Sequence, residues 1–314
     1  RRSRAADQTL KGVTLVVGLG LIATLVGLIA VLVSGSARVW AHFGIGFITG
    51  TRWNPVQGRE VFGALPFIFG TLVTSAIAMA IAIPVSVGLA LLMNEVRSGW
   101  VRNPLASFVD ILAAIPSIVY GLWGLFVLKP FLDRDVEPFL AATVGKVPLV
   151  GRLFSGNPNG PDMFTAGVIL SIMILPIVTA LSREVIATVP RDLREAAKAI
   201  GATRYETIRL AVLPPARAGI IGASMIGLGR AMGETIAVSL VVGNSPVIRA
   251  SLFAPGATIP SWIASSFREA TSIGLHRSAL LGLALVLVAV TFALAAASRL
   301  LVSGSRSRAL GGNR

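Results

Sequence analysis

The strongest constraint on this chain is a set of long intervals that carry no charge. Residues 61–94 lie between Glu60 and Glu95, residues 278–298 lie between Arg277 and Arg299, and neither interval holds an ionisable Asp, Glu, Lys or Arg. Gly12–Val33 is likewise uncharged and apolar. A helix rises about 1.5 Å per residue, so about 20 such residues match a hydrocarbon core about 30 Å thick. Across 314 residues, 54% are hydrophobic and 13% charged, about half the charged share of an ordinary soluble domain. This excludes a disordered chain, and it is too apolar for a soluble globular enzyme. Lys and Arg number 28 against 14 Asp and Glu. Those charges sit between apolar runs and form no basic face, so nucleic acid is not an expected partner. The absence of Cys excludes a disulfide framework and thiolate metal sites, and the two histidines, His42 and His276, lie far apart in sequence.

Six segments meet the spanning condition: Gly12–Val33, one between Glu60 and Glu95, Leu105–Leu128 (which contains Asp110), one between Asp162 and Arg183, Ala218–Gly243, and one between Arg277 and Arg299. They read as helices, because lipid offers the backbone no partners and the alternation of a barrel strand is missing. The expected fold class is an all-α membrane protein with six transmembrane helices. The first segment is expected to stay as a span, since it is long enough to cross and no Ala-x-Ala type of cleavage site follows it. Pro84, Pro116 and Pro176 fall within spans, where each removes a backbone bond and can kink its helix. Thr71, Thr74 and Ser75 are expected to hydrogen-bond between helices.

Six crossings place both ends on one side. The tail 1–11, the loops 93–104 and 182–217, and the C-terminal tail carry 17 Lys and Arg, against 10 in the loops 34–63, 129–162 and 244–277. The richer face is expected to be cytoplasmic, giving a multi-pass cell-membrane protein with both termini inside. Trp40 and Trp53 then fall in the first outer loop as headgroup anchors, and Asp133, Asp135 and Glu137 flank the outer end of the third span. The expected organisation is a tail at 1–11, a first span with its outer loop at 12–63, a transmembrane domain at 64–302 containing the loop 182–217, and a tail at 303–314. That last segment, rich in Ser, Arg and Gly, reads as disordered, with arginines suited to anionic lipid.

The loop 182–217 is the one long segment on the basic face. Pro190 and Asp192 are start signals for a short helix through Glu195-Ala196-Ala197-Lys198-Ala199-Ile200. Gly201 supplies the left-handed residue that ends it, and Thr203 can cap a second helix. Pro214 and Pro215 are expected to close that second helix. Within the fifth span, Arg230 and Glu234 are four residues apart, so on a continuous helix they share a face and can pair. Charge at bilayer depth costs about 2.5–3.5 kcal/mol even on lenient scales, so both are expected to face protein or water. Gly229 and Gly233 form a Gly-x-x-x-Gly step that admits a close neighbour. Arg presents a planar fork matched to phosphate-like oxyanions, and Glu234 would hold that fork when no solute is present. The alternative is a structural ion pair.

The spacing of Glu195, Ala196, Ala197, Gly201, Leu213 and Pro214 resembles the EAA loop of bacterial ABC importer permeases, with Ala211 where that pattern has Ile. A second resemblance is more specific. Gly229-Arg230-Ala231-Met232-Gly233-Glu234-Thr235-Ile236-Ala237-Val238 with Val242-Gly243-Asn244, Thr51-Arg52-Trp53-Asn54-Pro55, and the run from Ala114 to Gly124 are similar to the PstC-type phosphate ABC transporter permeases. These resemblances imply a permease subunit for inward phosphate transport, paired with a second related permease subunit, an ATPase subunit dimer and an external phosphate-binding protein. They imply that Arg230 and Glu234 serve translocation, and that the loop residues Glu195, Ala196, Ala197, Gly201, Leu213 and Pro214 couple to the ATPase. No Gly-x-x-x-x-Gly-Lys-Ser/Thr phosphate cradle is present in the sequence, so ATP and Mg are expected on the partner, with no cofactor bound by this chain and no enzyme activity of its own. Rival readings are a permease for phosphonate, sulfate or molybdate, and an ion-driven secondary transporter, which has no use for the 195–214 loop.

Overall fold

The computed structural model describes residues 2–95, 99–148, 150–155, 160–270 and 274–310. Five helices are long and apolar enough to cross a membrane, and the bent pair Gly99–Ala114 and Ser117–Lys146 makes a sixth when counted as one broken span. The described residues thus hold five to six candidate crossings, and the third expected span is broken: its halves meet at 95°. Pro116 sits at the corner with extended backbone (φ −60°, ψ 143°), whereas Pro84, Pro104 and Pro176 lie within helices.

Three buried clusters hold the helices among the described residues, the smallest being Ala90, Ile186, Val189, Val212 and Ala216 near the basic loop. In the largest, Leu65–Glu95, Met163–Ala187, Leu213–Gly233 and Ile236–Val241 enclose Ala78, Ala82, Ile169, Met173, Ile174 and Val238. In the second, Arg2–Phe43 and Leu275–Leu310 meet a short turn and hairpin through Val39, Phe47, Phe62, Phe67, Ile259 and Leu283. The hairpin pairs Trp53 with Phe62 and Asn54 with Val61. Of the three hydroxyls expected to bond between helices, Thr71 does so, its Oγ1 accepting the Ile259 N–H at 2.9 Å, whereas Thr74 donates to the Gly70 carbonyl of its own helix and Ser75 has no such bond among the described residues.

Several boundaries differ from expectation. The first helix continues to Phe43, so Trp40 is on the helix and bonds Ser36 Oγ through its indole N–H at 3.2 Å. The last helix runs to Leu310, through most of the segment expected to be disordered; residues 311–314 lie outside the described residues. The segment 129–143, expected to belong to a loop, is helical.

The prolines explain that last difference. Among the described residues three π-turns occur, at Gly124–Leu128, Leu132–Val136 and Ile208–Val212. Each is followed by one residue and then a proline: Lys129-Pro130, Glu137-Pro138 and Leu213-Pro214. In each case the residue before proline donates its N–H five residues back, to Gly124, Leu132 and Ile208 respectively. A widened turn relieves the clash between a proline ring and the carbonyl four residues earlier. The helix thus passes each proline instead of ending. Pro214 and Pro215 do not close a second short helix; they sit in the first turn of Leu213–Gly233.

Candidate functional site: a basic loop and two broken spans

On the basic face, Pro190 precedes the helix Arg191–Ala199, and Gly201 takes φ +87°, a conformation that favours glycine. Thr203 then opens Arg204–Thr207 with a capping box: its hydroxyl accepts the Glu206 N–H at 3.3 Å, and Glu206 Oε2 accepts the Thr203 N–H at 2.8 Å. These bonds hold the exposed Glu206 carboxyl below its ordinary range. The short helix is clamped to the spans through Arg194. Its guanidinium pairs with Glu95 at the end of the 65–95 helix and donates to the Ile186 carbonyl at 3.0 Å. Asn94 adds a bond to the Arg183 carbonyl at 3.1 Å. The loop is therefore bonded directly to two spans. Glu195 and Ala196 are exposed, Ala197 is half-buried, and Ile200 and Tyr205 stand out at 86% and 68% exposure. Leu213 and Pro214 sit where this loop enters the fifth span.

Arg230 and Glu234 are not paired on one helical face. The fifth span stops at Gly233, Glu234 takes extended backbone (φ −69°, ψ 128°), and a second segment starts at Ile236. Among the described residues no ion pair joins the two side chains. Arg230 instead occupies the last turn of the long helix, where the dipole favours a cation. Glu234 Oε1 accepts the Ala237 N–H of the following segment at 3.3 Å. The break separates the two charges, and the i, i+4 relation holds only on an unbroken helix. Irregular backbone at membrane depth is tolerated where protein surrounds it or water reaches it; Arg230 and Gly233 are both exposed.

This second break faces the first. Residues 236–241 pack on Ser117–Trp123, so closely that a Cβ on Gly121 would lie 2.8 Å from Ala237 Cα. Tyr120 is buried between them and donates to the Leu112 carbonyl at 2.8 Å, across the Pro116 corner. Two of the sequence stretches singled out above, 114–124 and 229–238, thus form one contact. The Gly-x-x-x-Gly step does not contribute within the chain: nothing lies within 4 Å of where a Cβ would stand on Gly229 or Gly233.

A second charged constellation lies toward the opposite face. Lys129 is buried and pairs with Asp133, with Asp162, and with Glu137 Oε1 at 2.9 Å. Asp162 also caps the 163–187 helix, accepting the Thr165 N–H at 2.7 Å. Its own N–H donates to the Val241 carbonyl at 2.9 Å, so the cluster anchors the third, fourth and fifth spans together. Sequence reasoning placed these residues in a loop. The signal was present as the four-residue spacing of 129, 133 and 137, which becomes one stripe once the helix continues. Three carboxylates surround one ammonium that already occupies their centre, and the arrangement serves as an anchor.

Residues 82–307 match the family model described as binding-protein-dependent transport system inner membrane component. The chain is 48% identical over 259 residues to the phosphate transport system permease protein PstC of Xylella fastidiosa strain Temecula1, covering 82% of this chain and 79% of that one. It is 45% identical over 280 residues to the PstC protein of Mesorhizobium japonicum, covering 89% and 85%. The PstC protein of Pasteurella multocida is 44% identical over 271 residues, with 86% and 83% covered. Among solved structures, an inward-facing form of the MetNI methionine ABC transporter aligns with TM-score 0.51 at 20% identity, covering 77% of this chain and 94% of that one.

Proposed function

The chain belongs to the family of binding-protein-dependent transport system inner membrane components, and from that membership we propose that it is the phosphate-conducting permease subunit of an ATP-driven importer. The observation that carries the substrate is similarity of 44–48% to relatives named as phosphate permeases, spread over four-fifths of both chains. The broken fifth span supports it physically. Arg230, exposed at a helix end within a span, offers a fixed cation with a fork matched to a phosphate oxyanion. Glu234, bonded to the next segment's backbone, keeps the break open and holds a negative charge nearby to limit retention of the anion.

In this reading the basic face is cytoplasmic, with both chain ends on it. The 182–217 loop docks on a separate ATPase subunit through exposed Ile200, Tyr205 and Ala196, with Glu195, Ala197 and Gly201 shaping its helix. ATP and Mg belong to that subunit. Closure of an ATPase dimer pushes the loop, and Arg194 carries the displacement through Glu95 and the Ile186 carbonyl to two spans, with Leu213 and Pro214 leading it into the fifth. The open flank at Gly229 and Gly233 receives the second related permease subunit, so that phosphate passes between the two. An external phosphate-binding protein delivers solute on the opposite face. The test is reconstitution in vesicles: phosphate uptake is expected only with ATPase and binding protein present. Uptake by this chain alone would overturn the reading.

A further inference from the structure

The third span bends where its backbone cannot close. In a continuous helix the Leu112 carbonyl accepts the N–H of the residue four positions later. That residue is Pro116, which has no N–H to give. The Ile115 N–H reaches the same carbonyl at 3.4 Å, a long bond. The Tyr120 hydroxyl reaches it at 2.8 Å from the far side of the corner. We propose, on the permease reading above, that Tyr120 is a positioning residue for transport: its hydroxyl supplies the hydrogen bond that Pro116 withholds, and so sets the corner that lays 117–123 against the Arg230–Glu234 break.

Three observations carry it. First, the bond meets a need. A carbonyl short of a partner within a span is costly, and Tyr120 is itself buried, so its hydroxyl and this carbonyl serve each other. Second, the residue beside Tyr120 is a point of close approach between the two broken spans. A Cβ on Gly121 would lie 2.7 Å from Leu240 Cδ1 and 2.8 Å from Ala237 Cα. Any rotation of 117–123 about the corner is therefore felt by 236–241. Ala237 also donates its N–H to Glu234 Oε1 at 3.3 Å, so the contact reaches the break itself. Third, Tyr120 shares one buried cluster with Ala231 and Val238, the first of them next to Arg230. The corner, the tyrosine and the break thus form one mechanical unit. A single side-chain bond across a corner can open and reclose without unwinding either helix, whereas a ladder of backbone bonds cannot. A hinge between two states of a transport cycle requires that property.

The test reads the corner and the transport separately. The chain has no cysteine, so Phe108→Cys and Phe126→Cys, at exposed positions on either side of the corner, carry the only spin labels on this chain. Label-to-label distances are measured by double electron–electron resonance in the complex reconstituted with ATPase and binding protein, and phosphate uptake is measured on the unlabelled counterparts. Tyr120→Phe keeps the ring and loses the hydroxyl. It is expected to assemble normally, to broaden the distance distribution, and to lower the maximal uptake rate about tenfold, the scale of a buried acceptor left unmet. Pro116→Ala returns an N–H to the Leu112 carbonyl. In that background Tyr120→Phe is expected to change the distances no further and the uptake rate by less than about twofold. Unchanged distances in Tyr120→Phe, or equal broadening in both backgrounds, overturns the bond as the setter of the corner. Broadened distances with normal uptake overturns its part in transport. If Pro116→Ala does not assemble, the distances and uptake of Tyr120→Phe alone decide. Absence of phosphate uptake by the wild-type complex instead overturns the permease reading, while the distances still decide what holds the corner.

Discussion

The two constellations of charge in the transmembrane region solve the same problem in opposite ways. Around Lys129 the chain brings the partners together: three carboxylates close on one ammonium, and Lys129, Glu137 and Asp162 are all buried. Around Arg230 the chain holds the partners apart, because a helix break turns Glu234 toward the following backbone. A charge satisfied within its own chain fixes architecture. Arg230 stands on an exposed helix end while Glu234 is bonded to the following backbone, and in the proposed reading that leaves it available to a passing solute. Both occur in the same bundle, so the difference lies in backbone continuity and not in residue type. The helix through 129–137 was kept continuous by π-turns; the one through 230–234 was interrupted.

The largest effect expected from breaking this contrast is at Lys129. Lys129→Met leaves three carboxylates crowded without their cation, a loss of about 3–5 kcal/mol for removing one partner of a buried ion pair. The variant is expected to fail in assembly, seen as loss of a monodisperse complex after detergent extraction. A complex of unchanged melting temperature and phosphate uptake would show that the cluster anchors nothing. Arg230→Gln sits on the other side of the comparison. Because Arg230 is exposed and in no ion pair among the described residues, stability is expected to change by less than about 0.5 kcal/mol. Phosphate uptake, in contrast, is expected to fall on the order of 100-fold, the scale of a lost charge contact to a desolvated anion. Normal assembly with normal uptake sinks its role in translocation, and failed assembly makes it a second anchor.

Much of this was legible in the sequence. The uncharged intervals gave the six crossings, since no other fold hides that much apolar backbone in lipid. Gly201 and Thr203 announced their conformations, because a left-handed residue and an N-cap are local matters. What failed was reading Pro214 and Pro215 as the close of a helix and ending the third span at Leu128. Pro130, Pro138, Pro214 and Pro215 are passed by π-turns, whereas Pro116 makes a corner, and the choice depends on tertiary partners. The Glu234 break escaped for a related reason: neither Gly233 nor Thr235 forbids a helix, and the interruption is sustained by packing of 236–241 on 117–123. The Lys129 anchor escaped because the third span was ended at Leu128, and its stripe exists only on a continuous helix.

A smaller effect is expected at Gly201. With φ +87°, a β-branched side chain there carries about 1–2 kcal/mol of strain, although the space around its Cβ is open. Gly201→Val should therefore leave the transmembrane contrast intact while displacing the exposed Ile200 and Tyr205 that flank the turn. ATP hydrolysis by the assembled complex is expected to persist while phosphate uptake per ATP falls. Unchanged coupling would remove this turn from the path between ATPase and spans.

The smallest effect tests whether that path needs rigidity or only contact. Thr203→Ala removes the hydroxyl that accepts the Glu206 N–H, an N-cap worth about 1 kcal/mol. Glu206 would still accept the Thr203-position backbone N–H, so half of the capping box survives the substitution. The clamp through Arg194 to Glu95 and Ile186 lies on the preceding helix and is untouched. If displacement travels through that clamp, coupling should drop by less than about threefold even though the cap is weakened, because ~1 kcal/mol corresponds to roughly a fivefold change in local order and only part of it bears on the clamp. A drop as deep as that of Gly201→Val would instead assign the mechanical role to the second short helix and its unbroken continuation through Pro214 into the Arg230 span.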